Sequence, residues 1–219
     1  MKSKNIIFES KRVRSTFGLN SFNPLLLEDI SRYKNHGTLV GATWTRLPSG
    51  LWVLSFDGND SVRIPYAANL AIGAGSGTRW CWLKLPAITD SQAWVVKRDA
   101  GGRDYNFYIA GVVRLPSSYN GTAAVAANTA IGVSVWACIL TGISGGNTYF
   151  WLNGEPDGIQ AQAAGTTTQT LDVFIGQNGI GTVYFPNGTQ IALVGGTNTL
   201  VTDAFAKEFY SKTKHLFGV

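Results

Sequence analysis

Trp52-Val53-Leu54-Ser55-Phe56-Asp57-Gly58-Asn59-Asp60-Ser61-Val62-Arg63-Ile64-Pro65 is the stretch that decides the fold class. It opens with a short run of β-favouring residues and closes with an alternating run that stops at proline, which cannot donate to a strand ladder. Between the two runs stand Asp57, Gly58, Asn59 and Asp60, residues that favour turns through local side-chain hydrogen bonds and backbone freedom. The segment therefore reads as strand, tight turn, strand.

The same pattern recurs outward. Residues 38–47, 78–85, 93–97, 105–113, 131–140, 148–152, 171–175 and 190–194 are β-like runs. The gaps carry Gly, Asn, Asp and Pro, as in Ala100-Gly101-Gly102 and Asn153-Gly154-Glu155-Pro156-Asp157-Gly158. Side chains alternate along a strand, so Trp80, Trp82 and Lys84 share one face. Many short strands at this spacing predict an all-β, two-sheet antiparallel sandwich. Composition agrees. Charged residues are only 14 % of the 219, against 45 % hydrophobic and 26 glycines, which favours strands and turns over a charged helical bundle. The length suits one domain and can bury a core without covalent staples.

One segment departs from the pattern. Residues 203–214 predict a short helix, with Thr202 or Asp203 as cap, Phe205 and Phe209 on one face, and Lys212 and Lys214 at the negative end of its dipole. Its expected role is to close the sandwich. Cys81 and Cys138 lie in apolar runs and read as buried thiols, and a disulfide between facing strands stays open.

The first 24 residues are polar and basic, with Lys2, Lys4, Lys11, Arg12 and Arg14 against Glu9, within a net charge of +5. They read as an arm, 1–24, ahead of a sandwich domain, 25–219, and as a docking element for a neighbouring subunit. Nucleic acid is the weaker partner for this arm, because no aromatic–basic interleaving follows it. No signal-peptide pattern opens the sequence and no run approaches the ~18 apolar residues of a membrane span, so synthesis in a host cytoplasm and no membrane partner are expected. The triplets at Asn59, Asn120 and Asn187 then carry no weight as glycosylation sites.

Several motifs resemble a known family. Asp29-Ile30-Ser31-Arg32-Tyr33-Lys34-Asn35-His36-Gly37-Thr38 is similar to the opening of laminin-G-like, concanavalin A-like lectin/glucanase domains, and residues 52–65 are similar to their Phe-Asp-Gly segment. Tyr149-Phe150-Trp151-Leu152-Asn153-Gly154, Phe174-Ile175-Gly176 and Phe185-Pro186-Asn187-Gly188 follow in the family's order, over about residues 28–212. The resemblance implies a jelly roll of two curved sheets. Two departures stand out: Ser61 replaces an Asp, and Gly195-Gly196-Thr197-Asn198-Thr199-Leu200 replaces an acidic, Arg-containing closing strand. The ending, residues 208–219, resembles the tails of laminin-G-like proteins of tailed bacteriophages.

The residues offer little for catalysis. Retaining glycosidases need two carboxylates ~5–5.5 Å apart, and Glu9, Glu28, Glu155 and Glu208 form no such pair within a strand. Two histidines, His36 and His215, are too isolated for a His-based metal site. Calcium takes oxygen ligands, and Asp57, Asn59 and Asp60 could supply some, although a metal-free turn is the favoured reading. The Gly73-Ala74-Gly75-Ser76-Gly77 run lacks the Lys-Ser/Thr of a phosphate loop. Tryptophans stack on sugars and anchor interfaces. Most of the seven read as core, with Trp80 and Trp82 as candidate ligand or interface residues. The first expectation is a non-enzymatic structural protein of a bacteriophage virion, decorating the capsid or built into the tail, with the major capsid or tail protein as partner and homo-oligomeric assembly. The alternative is a lectin-like carbohydrate-binding module. A glycosidase is the weakest of the three.

Overall fold

The computed structural model describes residues 5–7, 25–72, 75–98, 103–120, 123–162 and 170–219. The chain is a jelly-roll sandwich of two antiparallel sheets with a C-terminal helix, as the sequence predicts. In chain order the strands are β1 (Asn5–Ile7), β2 (Leu26–Leu27), β3 (Gly37–Val40), β4 (Thr43–Arg46), β5 (Trp52–Phe56), β6 (Ser61–Ile64), β7 (Gly77–Lys84) and β8 (Gln92–Arg98). They continue with β9 (Arg103–Ala110), β10 (Leu115–Tyr119), β11 (Ala124–Ala126), β12 (Trp136–Ser144), β13 (Asn147–Leu152), β14 (Glu155–Ala161), β15 (Val173–Ile175) and β16 (Thr189–Thr197). The first sheet runs β14-β13-β12-β7-β16-β5-β4, and the second β11-β10-β9-β8-β15-β6-β3-β2.

β1 also belongs to the first sheet, pairing Asn5, Ile6 and Ile7 with Thr197, Gly196 and Gly195. Three residues of the segment expected as an arm thus add a strand to the sandwich. Lys2, Lys4, Lys11, Arg12 and Arg14 lie outside the described residues.

The run at 38–47 is two strands, not one. The chain leaves the second sheet after β3 and enters the first at β4, crossing at Gly41, whose φ of +82° suits glycine. The β5–Asp57-Gly58-Asn59-Asp60–β6 segment crosses back the other way. Asp60 locks the two crossings together. Its carboxylate accepts the Asp57 N–H at 2.8 Å and lies where a Cβ on residue 41 would stand. The Asp29 segment is a similar knot: its carboxylate accepts from the Ser31 and Asn35 N–H groups, each at 2.8 Å, while its own N–H donates to His36 Nδ1. The family-like motifs therefore organise turns.

Between the sheets lies the main core, with Leu54, Phe56, Cys81, Leu83 and Ile139 from one side and Val62, Trp94, Phe107, Ile109 and Ile175 from the other. Buried charge bridges the layers at one end. Arg79 donates to the carbonyls of Thr78, Thr197 and Leu70 at 2.7–3.0 Å and lies 4.8 Å from the centre of the Tyr105 ring. Nearby, the wholly buried Lys97 and Asp104 pair at 3.2 Å, and Asp104 also accepts the Ile72 N–H. Removing one member of such a pair costs far more than the pair adds.

A second core lies outside the first sheet, under helix α1 (Asp203–Thr213) and the 3₁₀ turn at Lys214–Phe217. Thr202 caps the helix by accepting the Phe205 N–H. Phe205 and Phe209 pack on Trp80, and Tyr210 and Phe217 stack on Trp82 with ring centres 5.6 and 4.2 Å away. Indole N–H groups fasten the seam: Trp82 donates to Thr213 Oγ1 at 2.9 Å, and Trp151 to Asp203 Oδ1 at 2.7 Å. Cys81 faces the inner core and Cys138 the outer one, so β7 and β12 hold the thiols on opposite faces of the sheet. Both are free, and burial pushes both thiols well above their ordinary pKa.

Two outcomes follow. Trp82→Ala should cost about 3–5 kcal/mol in chemical denaturation, the usual toll for a fully buried tryptophan. Cys81 and Cys138 should stay unlabelled by a thiol reagent at pH 8 in the native protein and react once it is unfolded.

Candidate functional site

Each sheet has an inner face, committed to the core, and an outer face. α1 covers the outer face of the first sheet, and this corrects the expectation that Trp80 and Trp82 contact a ligand or partner. They are 3 % and 0 % exposed, because the chain's own Phe205, Phe209, Tyr210 and Phe217 lie on them. They do share a face, as alternation predicts.

The turn at 57–60 gives Asp60 a structural task. Its carboxylate is buried and bonded to backbone, while Asp57 and Asn59 are exposed on the turn. Among the described residues no three His, Cys, Asp or Glu side chains converge as a metal site. Burial raises the Asp60 pKa, the Asp57 N–H opposes that rise, and the Asp57 carboxylate adds to it. Glu155 and Asp157 sit on β14, where Asp157 accepts from the N–H and hydroxyl of Thr129 and Glu155 faces Lys207.

Two interior voids among the described residues are small. One of about 10 Å³ beside Arg79 and Tyr105, and one of about 20 Å³ beside Trp44 and Trp52, hold no more than a water molecule each. On the outer face of the second sheet lies a groove of about 290 Å³, lined by Ser91, Ala93, Arg98, Asn106, Tyr108, Tyr119, Asn178 and Val183. This is near the lower end of ligand pockets, ~300–1,000 Å³.

Strand alternation builds the floor. On β9, Tyr105, Phe107 and Ile109 point into the core, so Asn106 and Tyr108 point out. Ala93 stands opposite Tyr108, and Val96 opposite Asn106. The register shifts between Ala93 and Val95, which turns both Trp94 and Val95 into the core and leaves Ala93 on the groove side. On the neighbouring strand Ser117 faces Tyr108, and Tyr119 is two residues further along the same face. Ser117 Oγ donates to the Leu115 carbonyl at 2.9 Å and stands beside the Tyr108 side chain across the strand pair. Burial raises the Tyr108 pKa, the neighbouring Ser117 hydroxyl opposes the rise, and Tyr119 adds to it. Two tyrosines thus line one floor.

The far wall is the 177–184 loop, and it is already formed. Asn178 Oδ1 accepts the N–H groups of Ile180 and Thr182, Asn178 Nδ2 donates to Thr182 Oγ1 at 2.7 Å, and the Asn178 N–H donates to the Val183 carbonyl. Gly179 presses against the Arg98 carbonyl, where a Cβ would come within 2.5 Å, so the loop is seated on the end of β8. Within the groove, Asn106 is only 7 % exposed and its Oδ1 has no hydrogen-bond partner.

None of the groove residues stood out in the sequence. The signal was the polar, aromatic face of residues 105–110, opposite Tyr105, Phe107 and Ile109.

No family model matches the chain, and no curated protein matches it. Solved structures do. Domain 4 of AbnA, a GH43 extracellular arabinanase from Geobacillus stearothermophilus solved with arabinotriose, is similar with a TM-score of 0.72 at 13 % identity, over 96 % of this chain and 100 % of that one. Trypanosoma rangeli sialidase in complex with sialic acid is similar at 0.68 and 12 % identity, over 96 % of this chain, which spans only about a third (33 %) of the sialidase. The binding domain of botulinum neurotoxin DC, solved with rat synaptotagmin II, gives 0.68 at 12 % identity, over 94 % of this chain and 51 % of that one. At these identities the likeness is one of fold. The matched part of each is a β-sandwich, in agreement with the sheets described above.

The Asp60 environment gives a pH outcome. Its folded pKa lies above that of the unfolded chain, so the folded state binds the proton more tightly. The stability this contributes is present below about pH 4 and is lost as pH rises through the folded value. Asp60→Asn keeps an acceptor for the Asp57 N–H and removes the titration. The melting temperature of the variant, measured against pH, should lack this part of the wild-type decline.

Proposed function

We propose that this chain is a carbohydrate-binding module that takes saccharide in the groove between the β8-β9-β10 face and the 177–184 loop. The observation that carries this reading is the groove itself: two tyrosines and several polar side chains, preformed on the outer face that the helix leaves open. Aromatic rings offer flat apolar surface to the C–H faces of a sugar, and nearby amides, hydroxyls and guanidinium groups bond its hydroxyls. A wall held by its own hydrogen bonds costs little ordering on binding. The comparisons support the reading at the level of class: a fold neighbour was solved with arabinotriose, another with sialic acid, and a botulinum neurotoxin type C structure concerns interaction with two ganglioside molecules.

The module is non-catalytic. Among the described residues that line the groove there is no carboxylate, whereas general acid–base cleavage of a glycoside uses a pair.

The virion reading rests on the bacteriophage-like ending. In the structure those residues serve the fold, since Tyr210 and Phe217 stack on Trp82. The two readings are compatible, because a particle that displays this module would gain a glycan contact at its surface. Mass spectrometry of purified particles tests the location. Partner subunits and homo-oligomeric assembly belong to that same proposal.

On a glycan array the full chain should bind a defined saccharide set. Tyr108→Ala and Tyr119→Ala should each weaken binding at least about tenfold, the loss expected for ~1.4 kcal/mol of stacking and hydrogen bonding, with little change in melting temperature. Unchanged binding by both variants would place the saccharide elsewhere.

A further inference from the structure

We propose that the groove selects saccharides bearing an N-acetyl group. This rests on the carbohydrate-binding reading and adds what the site recognises. The starting point is Asn106, more than nine-tenths buried, lining the groove, with an unbonded Oδ1. Most buried polar atoms in native proteins have a partner, and an orphaned one costs stability. Among functional explanations, a donor that arrives with the ligand removes that cost. As the side chain stands Oδ1 is shielded from solvent, and the broad, roughly two-fold terminal torsion of asparagine lets a turn of the amide bring it to the groove.

The surroundings of that amide narrow the donor. Ala93 is on one side, opposite Tyr108 in the register. Val96 is directly across from Asn106, and Val183 lines the facing wall. Ala93 and Val183 thus give the groove methyl groups near the Asn106 amide, while the Asn178 amide is spent within its own loop. A sugar hydroxyl would satisfy the acceptor but leave the methyl groups facing a polar group or water. An acetamido substituent matches both: its N–H is a donor, and its methyl packs against Ala93 and Val183. Its flat amide also suits the neighbouring Tyr108 ring. A free amino sugar fits less well, since it brings an ammonium group toward the Arg98 guanidinium. A site built around one N–H rejects the analogue that lacks it, because its own acceptor is then left unpaired.

The shared chemistry is the acetamido group, and chitin-like chains, bacterial wall glycan and animal-type glycans all carry it. Titration calorimetry of the full chain separates them with matched probes. Triacetylchitotriose is compared with cellotriose and with the deacetylated trimer, N-acetylgalactosamine with galactose, and the N-acetylglucosamine–N-acetylmuramic acid disaccharide with cellobiose. The expected result is a preference of at least about tenfold for the acetylated member of one or more sets, and the set that shows it names the source. Asn106→Leu should reduce that preference to near parity. Ala93→Leu, which fills the notch without touching the amide, should weaken the acetylated probe more than its hydroxyl counterpart. Equal binding within every set, or a preference that survives both substitutions, overturns the inference and leaves carbohydrate binding standing. Failure of all these probes, together with a blank glycan array, overturns the carbohydrate reading itself.

Discussion

The packing of the C-terminal helix on Trp80 and Trp82, fastened by the Trp151–Asp203 hydrogen bond, is the contact on which the rest of the molecule depends. A two-sheet sandwich hides two faces and leaves two exposed. Here one exposed face carries three tryptophans of β7 and β13, and it would be an aggregation-prone apolar patch if left bare. The helix converts it into a second core. Its own aromatic residues supply the area, and two indole N–H bonds set its position along the strands. The other outer face can then remain polar and open.

The bulge at Trp94 has a comparable reach on the second sheet. An extra residue sends two successive side chains, Trp94 and Val95, into the core. The same shift leaves the small Ala93 on the outside, opposite Tyr108. A groove needs a low point in an otherwise full row of side chains, and Ala93 provides one. The loop seated on β8 through Gly179 supplies the wall. Core packing and site shape are thus set by the same local irregularity.

Much of the architecture was legible in the sequence, because period-two alternation and turn residues report directly on half-buried strands. The helix was legible too, from Thr202, Phe205 and Phe209. What stayed hidden has physical reasons. β14 begins in Asn153-Gly154-Glu155-Pro156-Asp157-Gly158, whose composition marks a turn, yet Glu155 and Pro156 pair with Leu152 and Trp151 of β13, and the register shift before Ile159 takes up Asp157 and Gly158. β10 contains Pro116 and two serines and lacks a β-branched run. Residues 38–47 look continuous, and only the positive φ at Gly41 splits them between sheets. The site was less legible than the fold. Alternation places Asn106 and Tyr108 together, but which face meets solvent depends on whether the distant helix covers the other sheet. Trp80 and Trp82 look like the better ligand platform until that helix is in place.

The central claim is that the open face of the second sheet, and not the aromatic face of the first, is where this protein meets a saccharide. Backbone amide NMR of the full chain titrated with the best-binding array saccharide tests it most directly. Shifts clustered on Ala93, Arg98, Asn106, Tyr108, Tyr119 and Asn178, with α1 and β7 unmoved, are the expected result. Shifts centred on Trp80, Trp82 and the C-terminal helix would contradict it.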